Sequence, residues 1–433
     1  MTRLLPRLKV ELMSKLDELI QELCPNGVEY KQLKDLGVFY GGLTGKSKDD
    51  FENGNKIFIT YKNVYSNPSL DLHPAERVKI GETENQRTLK YGDVIFTGSS
   101  ETPDECGISS VVTEIPQDDL YLNSFCFIFR FDDLNGIYPP FMKHLFRSSS
   151  IRKQIGRTAN GVTRYNVSKK LMAKISIPIP PMEIQKEIVC LLDDFTAKTE
   201  ELQAELNKEY EARKKQYEYY RNAILNGDKN AETVKLGDVC DFVRGPFGGA
   251  LKKDSFVSSG YAVYEQQHAI YQNTNIRYFI DSKKYNDLIR FKVSPNDIIV
   301  SCSGTIGKTY IIPNDAPKGI INQALLKLTA HDCLNVRYLQ YIFENNLVKI
   351  MNNNARGGAI KNVPSVKELK NIEIQLPSND TQGGIINILD NLESTCDNLQ
   401  TNISVEFESR QKQYEYYRDK LLTFKELNES EVN

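Results

Sequence analysis

The 433-residue sequence lacks the residue groupings on which several common classes of site depend. Its eight cysteines form no close pairs, so the spacing typical of zinc and redox sites is missing. Its four histidines are isolated, and no two of them stand at the spacing of a metal-ligand pair. No apolar run approaches the roughly 20 residues of a membrane span, and no apolar leader opens the sequence. We therefore expect a protein of the reducing cytoplasm without membrane contact.

Two glycine-rich stretches resemble the phosphate-binding loop of nucleotide hydrolases, but both lack the first glycine of that motif. The stretch 41–47 has Tyr40 at the required position, and the stretch 303–309 has Cys302. Four separate histidines also provide no Ser-His-Asp or Cys-His arrangement. The sequence therefore predicts a non-catalytic chain that carries no metal and no cofactor.

The net charge of −2 gives no general surplus of basic residues, yet the charge is unevenly distributed. Residues 27–181 contain 20 basic and 18 acidic residues, and residues 227–379 contain 19 and 14. Residues 182–226 contain 7 basic and 10 acidic residues, and residues 380–433 contain 5 and 11. The modest positive excess of the first two blocks is compatible with phosphate binding but does not establish it.

A heptapeptide that occurs twice organises the whole sequence. Residues 215–221 read KQYEYYR, and residues 412–418 repeat these letters at an offset of 197. Around both copies, apolar residues recur three, four or seven positions apart over roughly 40 residues, as in a long amphipathic helix. The offset also pairs Leu192 with Leu389, Phe195 with Leu392, Leu202 with Leu399, Leu206 with Ile403, Tyr210 with Phe407 and Ile224 with Leu421.

Neither helix can bury its apolar stripe alone, so we expect the two to pack together as an antiparallel coiled coil. The predicted contacts near the two ends of this helix-pair seam are Tyr217, Tyr220, Tyr414 and Tyr417. A shorter apolar stripe precedes residue 24, and we expect this N-terminal helix to dock at the far end of the C-terminal helix.

The two blocks beside the helices follow a common plan. Residues 92–95 match residues 296–299, and Asn123 matches Asn322. Each block ends in an extended segment, 175–180 or 372–377, because proline disfavours helix in the residue before it. The second segment lacks the double proline of the first and leads to Gly383 and Gly384, so we expect a looser helix start there.

We predict an α+β protein with an internal repeat of approximate two-fold symmetry. Two similar mixed α/β globular domains are joined by two long helices. The predicted segments are an N-terminal helix (1–26), a first domain (27–181), a central helix (182–226), a second domain (227–379) and a C-terminal helix with tail (380–433).

Glycine-rich loops with basic and amide side chains are the candidate nucleic-acid contacts. Glycine lets the backbone approach a ligand, and neighbouring N–H groups can bind phosphate oxygens. Arginine and lysine can pair with guanine edges, and asparagine and glutamine with adenine edges. For each residue, an ordinary turn with a solvated charge is the alternative. The candidate DNA-binding residues are Lys46, Arg157, Arg164, Arg244, Lys252, Lys308, Arg356 and Lys361.

Together these features resemble the DNA-specificity subunit of type I restriction–modification systems. The resemblance rests on the paired KQYEYYR segments, the ISIPIPP segment at 175–181 and the LDELIQELCPNGVEY segment at 16–30. The loop 244–253 is also similar to one found in that family. The resemblance implies two target-recognition domains that each read one half of a bipartite site on double-stranded DNA.

The resemblance further implies a bacterial or archaeal complex in which this chain is not the enzyme. Two methyltransferase subunits would bring S-adenosylmethionine, and restriction subunits would use ATP and Mg²⁺. The alternative is a duplicated coiled-coil scaffold that binds protein partners and never touches DNA, which would equally explain the acidic helices. DNA affinity that falls steeply with salt distinguishes the two.

Overall fold

The protein consists of two compact units, each formed by a lobe of strands and helices with parts of two long helices. The structure is a computed structural model that describes residues 15–227, 231–247, 249–303, 305–354 and 363–427, without the side chains of 348–354. The first unit joins the chain up to Glu205 to the stretch from Ser404, and the second unit is Leu206–Ile403. We call residues 27–181 the first lobe and residues 231–379 the second lobe.

Two long helices, Met182–Leu225 and Asn379–Leu421, contain 44 and 43 residues. In the first unit, the ring of Phe195 near the start of the first long helix lies 6.0 and 6.4 Å from the rings of Tyr414 and Tyr417 near the end of the second. In the second unit, Tyr217 near the end of the first long helix lines a groove together with Leu392 near the start of the second. Within each unit the two helices therefore run antiparallel, which confirms the predicted pairing.

Each lobe is built around a four-stranded antiparallel sheet. In the first lobe, neighbouring strands are, in order, Gly37–Gly41, Cys126–Phe131, Val94–Thr97 and Ser109–Val111. In the second lobe they are Cys240–Arg244, Leu325–Ala330, Ile298–Ser301 and Thr309–Ile311. The strand order is the same, and the third strand is entirely buried in both lobes. This shared topology confirms the duplication predicted from the sequence.

Further sheets repeat the correspondence. The first lobe pairs Lys56–Ile59 in parallel with Leu120–Leu122 and antiparallel with Arg77–Val78. In the second lobe, Tyr261–Tyr264 lies parallel to Gly319–Ile321, flanked by Phe279–Ile280 and Lys292–Val293. Strands at the ends of each lobe also pair, Glu29–Gln32 with Ser176–Ile179 and Glu232–Lys235 with Glu373–Leu376. Each lobe therefore begins and ends beside its long helix.

Short helices complete the lobes, and residues 15–23 are also helical. In the first lobe the helices are Tyr61–Ser66, Pro139–Leu145, Ser149–Gly156 and Lys169–Met172, with 3-10 turns at Leu33–Asp35 and Lys48–Phe51. In the second lobe they are Leu236–Val239, Gln266–Tyr271, Ser282–Asp287, Val336–Asn354 and Val366–Lys370, with 3-10 turns at Lys253–Ser255 and Ile289–Phe291.

One buried glutamine connects each lobe to the start of a long helix. Gln185 and Gln382 are fully buried and differ by the offset of 197. The Gln185 side chain donates to the carbonyl oxygens of Pro180 and Gly136 at 2.7 and 2.6 Å and accepts from the amide of Tyr138 at 2.9 Å. Gln382 makes the same three bonds in the second lobe, with Pro377, Cys333 and Asn335.

The second long helix begins in register with the first despite its missing double proline. Asn379 stands at the position equivalent to Met182, and the amide of Gln382 donates to the carbonyl of Ser378 at 2.9 Å. Gly383 and Gly384 both lie within the helix. The looser start expected from the sequence is therefore not visible in the hydrogen bonding.

The N-terminal segment lies against the end of the second long helix, as expected. Leu16 is buried in the same cluster as Leu421 and Leu422. The amide of Val28 donates to the carbonyl of Lys425 at 2.8 Å. The two ends of the described chain are thereby joined within the first unit.

Replacement of Gly383 and Gly384 by alanine is expected to stabilise the protein. A Cβ atom at either position would meet no atom within 4 Å, and neither residue has a positive φ. Alanine has less conformational freedom than glycine in the unfolded chain and therefore loses less entropy on forming a helix. Each substitution should raise the free energy of unfolding by roughly 0.5–1 kcal/mol. Urea unfolding of Gly383→Ala, Gly384→Ala and the double variant measures the effect.

The matched control for this prediction is Gly27→Ala. Gly27 has a φ of +116°, and a Cβ there would lie 2.6 Å from the carbonyl oxygen of Lys425. This substitution should therefore destabilise the protein. If the helix variants were no more stable than the wild type, these glycines would not belong to an ordinary helical turn.

Candidate nucleic-acid interface

Loops at one end of the four-stranded sheet start from equivalent points in both lobes. Gly42 lies so close to Asn123 that an added Cβ would be 2.1 Å from its carbonyl oxygen, and for Gly245 and Asn322 the distance is 1.8 Å. The side-chain oxygens of the two asparagines accept hydrogen bonds from backbone amides two residues further on, at 2.7 and 3.0 Å. Since only glycine fits at 42 and 245, the candidate loops 41–48 and 244–253 leave the sheet at matching positions.

The first lobe extends this end of its sheet with a small antiparallel sheet, which we call the ribbon. Its strands are, in order, Ala159–Asn160, Tyr165–Val167 and Ser99–Ser100. Ser99 follows two residues after the buried strand Val94–Thr97, so the ribbon begins where that strand ends. Val162 in the ribbon turn is 89% exposed. The segment 157–166, predicted as a loop, therefore forms most of an exposed hairpin.

Arg164 in the ribbon turn is exposed yet fixed at two points. Its Nε donates to the hydroxyl of Ser99 at 3.0 Å. Its guanidinium carbon lies 5.9 Å from the ring centroid of Phe125, a side chain that is itself 61% exposed. Within the described residues, no other group forms a hydrogen bond with this guanidinium, so its terminal amino groups remain able to donate.

A strongly basic stretch surrounds the ribbon hairpin in the sequence. Residues 134–182 contain nine basic residues and no acidic one, whereas residues 27–133 contain 11 basic and 18 acidic residues. The charge count of the whole lobe, 20 basic and 18 acidic residues, does not reveal this contrast. The exposed members of the stretch are Lys153, Arg157, Arg164, Lys169, Lys170 and Lys174. Arg157 itself follows directly after the helix Ser149–Gly156.

The other three basic residues of this stretch have internal partners. Lys143 pairs with Asp193 of the first long helix at 2.8 Å. Arg147 and Arg152 donate to backbone carbonyls, Arg147 to those of Val64, Tyr65 and Ser109 and Arg152 to those of Asp104, Cys106 and Gly107. Desolvation lowers the pKa of each guanidinium to about 10. These residues hold loops in place and do not face a ligand.

Lys46, a predicted DNA contact, is engaged with partners inside the protein. Its Nζ lies 2.5 Å from a carboxylate oxygen of Glu84 and 2.6 Å from the carbonyl oxygen of Lys79. Its side chain is only 9% exposed, and its hydrogen bond is the main cause that lowers the pKa of Glu84 to about 2. The partner lies 38 residues away in the sequence, so the sequence alone could not reveal the pair. Lys46 stabilises its loop through this pair, and its contact with DNA stays a prediction.

The second lobe presents exposed basic residues at the corresponding end of its sheet. Arg244, at the end of the strand Cys240–Arg244, is exposed, and so are Lys252 and Lys308. Phe247, three residues after Arg244, is 94% exposed. The amide of Lys308 donates to the hydroxyl of Ser301, which closes the turn at this end. The candidates Arg356 and Lys361 lie outside the described residues.

The tyrosines predicted at the helix-pair seam differ in their environments. Tyr414 and Tyr417 pack against Phe195. Tyr217 lines the groove of about 600 Å³ between the long helices of the second unit, where Leu392 replaces the larger Phe195. Tyr220 lies further outward, 42% exposed, and its ring packs on Tyr219 of the same helix.

A buried histidine connects the first lobe to both long helices. The Nε2 atom of His144 lies 2.8 Å from a carboxylate oxygen of Asp193, and its Nδ1 atom lies 2.9 Å from the hydroxyl of Tyr414. A neutral ring satisfies both partners, because Nε2–H donates to the carboxylate while Nδ1 accepts from the hydroxyl. Burial is the main cause that lowers the pKa of His144, against the opposing effect of Asp193.

Two kinds of feature are missing from the part of the chain that the structure describes. No three or more His, Cys, Asp and Glu side chains come together there as a possible metal site. No helix in that part of the chain is both long and apolar enough to cross a membrane.

The duplicated lobes, the paired helices and the basic loop ends define a class of non-catalytic DNA-recognition protein. The family model for the type I restriction modification DNA specificity domain matches residues 25–212 and residues 228–409. The chain belongs to this family, whose members are the non-catalytic specificity components of restriction–modification complexes and recognise DNA sequence.

Curated relatives agree with this assignment. A putative type I restriction enzyme specificity subunit of Haemophilus influenzae is 32% identical over 275 residues, which are 61% of this chain and 68% of the relative. The EcoR124I/EcoR124II specificity subunit of Escherichia coli is 29% identical over 273 residues, 60% of this chain and 65% of the relative. The chain thus aligns with about two thirds of the length of these relatives.

Solved structures share the fold at low identity. A chain from a study of complex assembly and conformational transition of the type I R-M system superposes with a TM-score of 0.71 at 16% identity, covering 92% of this chain and 98% of that one. The HsdS subunit from Thermoanaerobacter tengcongensis gives a TM-score of 0.57 at 17% identity and covers 92% and 97%.

Stability is expected to fall as the pH drops below about 6.5, and His144 is expected to contribute to this fall. The unfolded chain binds a proton at His144 near pH 6.5, while the folded chain binds it only at lower pH. The contribution of the neutral ring is therefore complete above pH 6.5 and is lost as the pH falls towards the folded-state pKa. Urea unfolding of wild type and His144→Gln between pH 5 and 8 measures the difference in slope.

His73→Gln is the control for this titration, because His73 is exposed. This variant should keep the wild-type pH profile, whereas His144→Gln should flatten it. The charged groups around His144 are Lys143, Asp193 and Arg418, which are unchanged in both variants. An identical pH slope in wild type and His144→Gln would contradict the role of the neutral ring.

Proposed function

We propose that the chain reads a bipartite DNA target, with one half-site read by each lobe. The target-recognition domains are residues 27–181 and 227–379. The observation that carries the proposal is the pair of identical sheets whose loops start at Gly42 and Gly245 but differ in sequence beyond them. A constant framework with divergent loop residues is what two different base sequences require.

In this proposal the long helices recruit the enzymatic subunits. Tyr219 and Tyr416 occupy equivalent positions at the offset of 197 and are 71% and 62% exposed. Large exposed aromatic side chains are enriched at protein–protein contacts. Their occurrence once in each unit supports two methyltransferase subunits, which would carry S-adenosylmethionine. Restriction subunits that use ATP and Mg²⁺ would complete the proposed assembly. The complex would act in the bacterial or archaeal cytoplasm.

The long helices also set the distance between the half-sites in this proposal. A helix of 44 residues is roughly 65 Å long at about 1.5 Å per residue. Major grooves on one face of a duplex recur about every 34 Å. Two readers connected by helices of this length could contact successive grooves and leave an unread spacer between them.

DNA binding by the complex assembled with methyltransferase subunits is expected to depend steeply on salt. Six exposed basic residues in the stretch 134–182 would make several phosphate contacts. Six to ten such contacts weaken affinity by roughly 10³–10⁵ between about 50 and 200 mM salt. Fluorescence anisotropy with a target duplex measures this dependence. A complex that assembles normally but shows no salt-dependent DNA affinity would support the protein-only scaffold.

Lengthening both long helices by one or two turns is expected to change the spacer and preserve both half-sites. The insertions belong in the middle of each helix, near residues 205 and 403, where they avoid both lobes. Methylated-adenine mapping of the assembled variant would show the new target. If the variant methylated a target with the original spacer but different half-sites, the helices would not determine the spacing.

A further inference from the structure

We propose that the two-stranded hairpin of the ribbon, residues 159–167, enters the major groove and that Arg164 reads a guanine in the first half-site. This inference rests on the proposed function and assigns a specific reading element to it. The ribbon comprises the strands Ser99–Ser100, Ala159–Asn160 and Tyr165–Val167. Phe125 and Ser99 hold Arg164 in position for the contact.

The shape and side chains of the hairpin suit this groove. The major groove of about 12 Å admits a two-stranded β-ribbon. The exposed residues on the hairpin are of types that read base edges, namely Asn160, Val162, Thr163, Arg164 and Asn166. Asparagine pairs with adenine, arginine with guanine, and apolar groups contact the thymine methyl.

Arg164 is exposed and is held by both a hydrogen bond and a ring contact, whereas the exposed Lys169 rests with its Nζ over the Phe127 ring at 5.2 Å. The Nε of Arg164 is occupied by the Ser99 hydroxyl, and its guanidinium lies over the exposed Phe125 ring. The terminal amino groups of a fixed guanidinium can form the bidentate pair with guanine O6 and N7. The exposed lysines end in compact, flexible charges, which suit phosphates better than base edges.

An acidic loop beside the ribbon favours base contacts over backbone contacts for Arg164. The loop after Ser100 contains Glu101, Asp104 and Glu105. All three residues are exposed, and the Glu105 carboxylate accepts from the hydroxyls of Tyr65, Ser100 and Thr102. Exposed carboxylates repel nearby phosphates but can accept from the amino group of cytosine. Phosphate contacts are therefore assigned to Lys153, Lys169, Lys170 and Lys174.

The test uses the full chain assembled with its methyltransferase subunits and three variants: Arg164→Ala, Arg164→Lys and Lys170→Ala. Methylated-adenine mapping first defines the wild-type target, and binding is then measured on duplexes with single base changes. We expect Arg164→Ala to reduce discrimination at one guanine of one half-site by about 5- to 150-fold. The other half-site should be read normally. Arg164→Lys should lose part of this discrimination, since lysine keeps the charge and can still reach a guanine edge but lacks the planar fork.

Lys170→Ala is the matched control for charge. It should weaken binding to all sequences equally and reduce the salt slope by about 1, without relaxing any base preference. Unchanged thermal unfolding of the exposed-residue variants verifies that the fold is intact.

Three outcomes would overturn the inference while leaving the proposed function standing. These are a bipartite target without guanine in either half-site, full base discrimination by Arg164→Ala, and normal discrimination by Arg164→Lys. A wild-type complex that binds no duplex in a sequence-dependent manner would instead contradict the proposed function itself.

Discussion

The position of each lobe depends on a buried amide at the start of a long helix. Gln185 and Gln382 each satisfy two carbonyl oxygens and one backbone amide that would otherwise be buried without partners. A buried polar group left without a partner lowers the free energy of unfolding by about 1–3 kcal/mol. Each of the three hydrogen bonds of a glutamine therefore stabilises the attachment of its lobe to the long helix. The loops proposed to contact DNA belong to the same lobes, so this contact helps to fix their orientation relative to the long helix.

The repeat preserves framework contacts and varies the chemistry around them. At the offset of 197, His144 corresponds to Tyr341 and Asp193 to Asp390. The Tyr341 hydroxyl donates to Asp390 at 2.6 Å, where the first unit has an imidazole. Arg337 adds an ion pair with Asp390 at 2.9 Å in the second unit. The two lobes are thus attached in the same place by groups of different acidity, as expected when duplicated segments diverge under a common packing constraint.

The sequence predicted the features that depend on local patterns. Periodic apolar residues indicated the long helices, and prolines indicated the strands Ser176–Ile179 and Glu373–Leu376. The matching turns at 92–95 and 296–299 were also correctly paired, since Gly92 and Asn296 both have a positive φ. These features need no knowledge of distant residues.

Non-local contacts explain what the sequence did not predict. Lys46 was selected because its glycine-rich loop resembles a ligand-binding loop, and its partner Glu84 becomes visible only in the fold. The ribbon joins Ser99–Ser100 to Tyr165–Val167, which are separated by more than 60 residues. The acid-free stretch 134–182, in contrast, could have been found by counting charges in a shorter window.

The most direct test of the central claim is a map of methylated adenines in host DNA with and without this chain. If each lobe reads its own DNA half-site, the methylated motif consists of two short blocks separated by an unread spacer. This motif should lose its methylation when the chain is removed. A single continuous motif, or a methylation pattern that does not depend on the chain, would contradict the account.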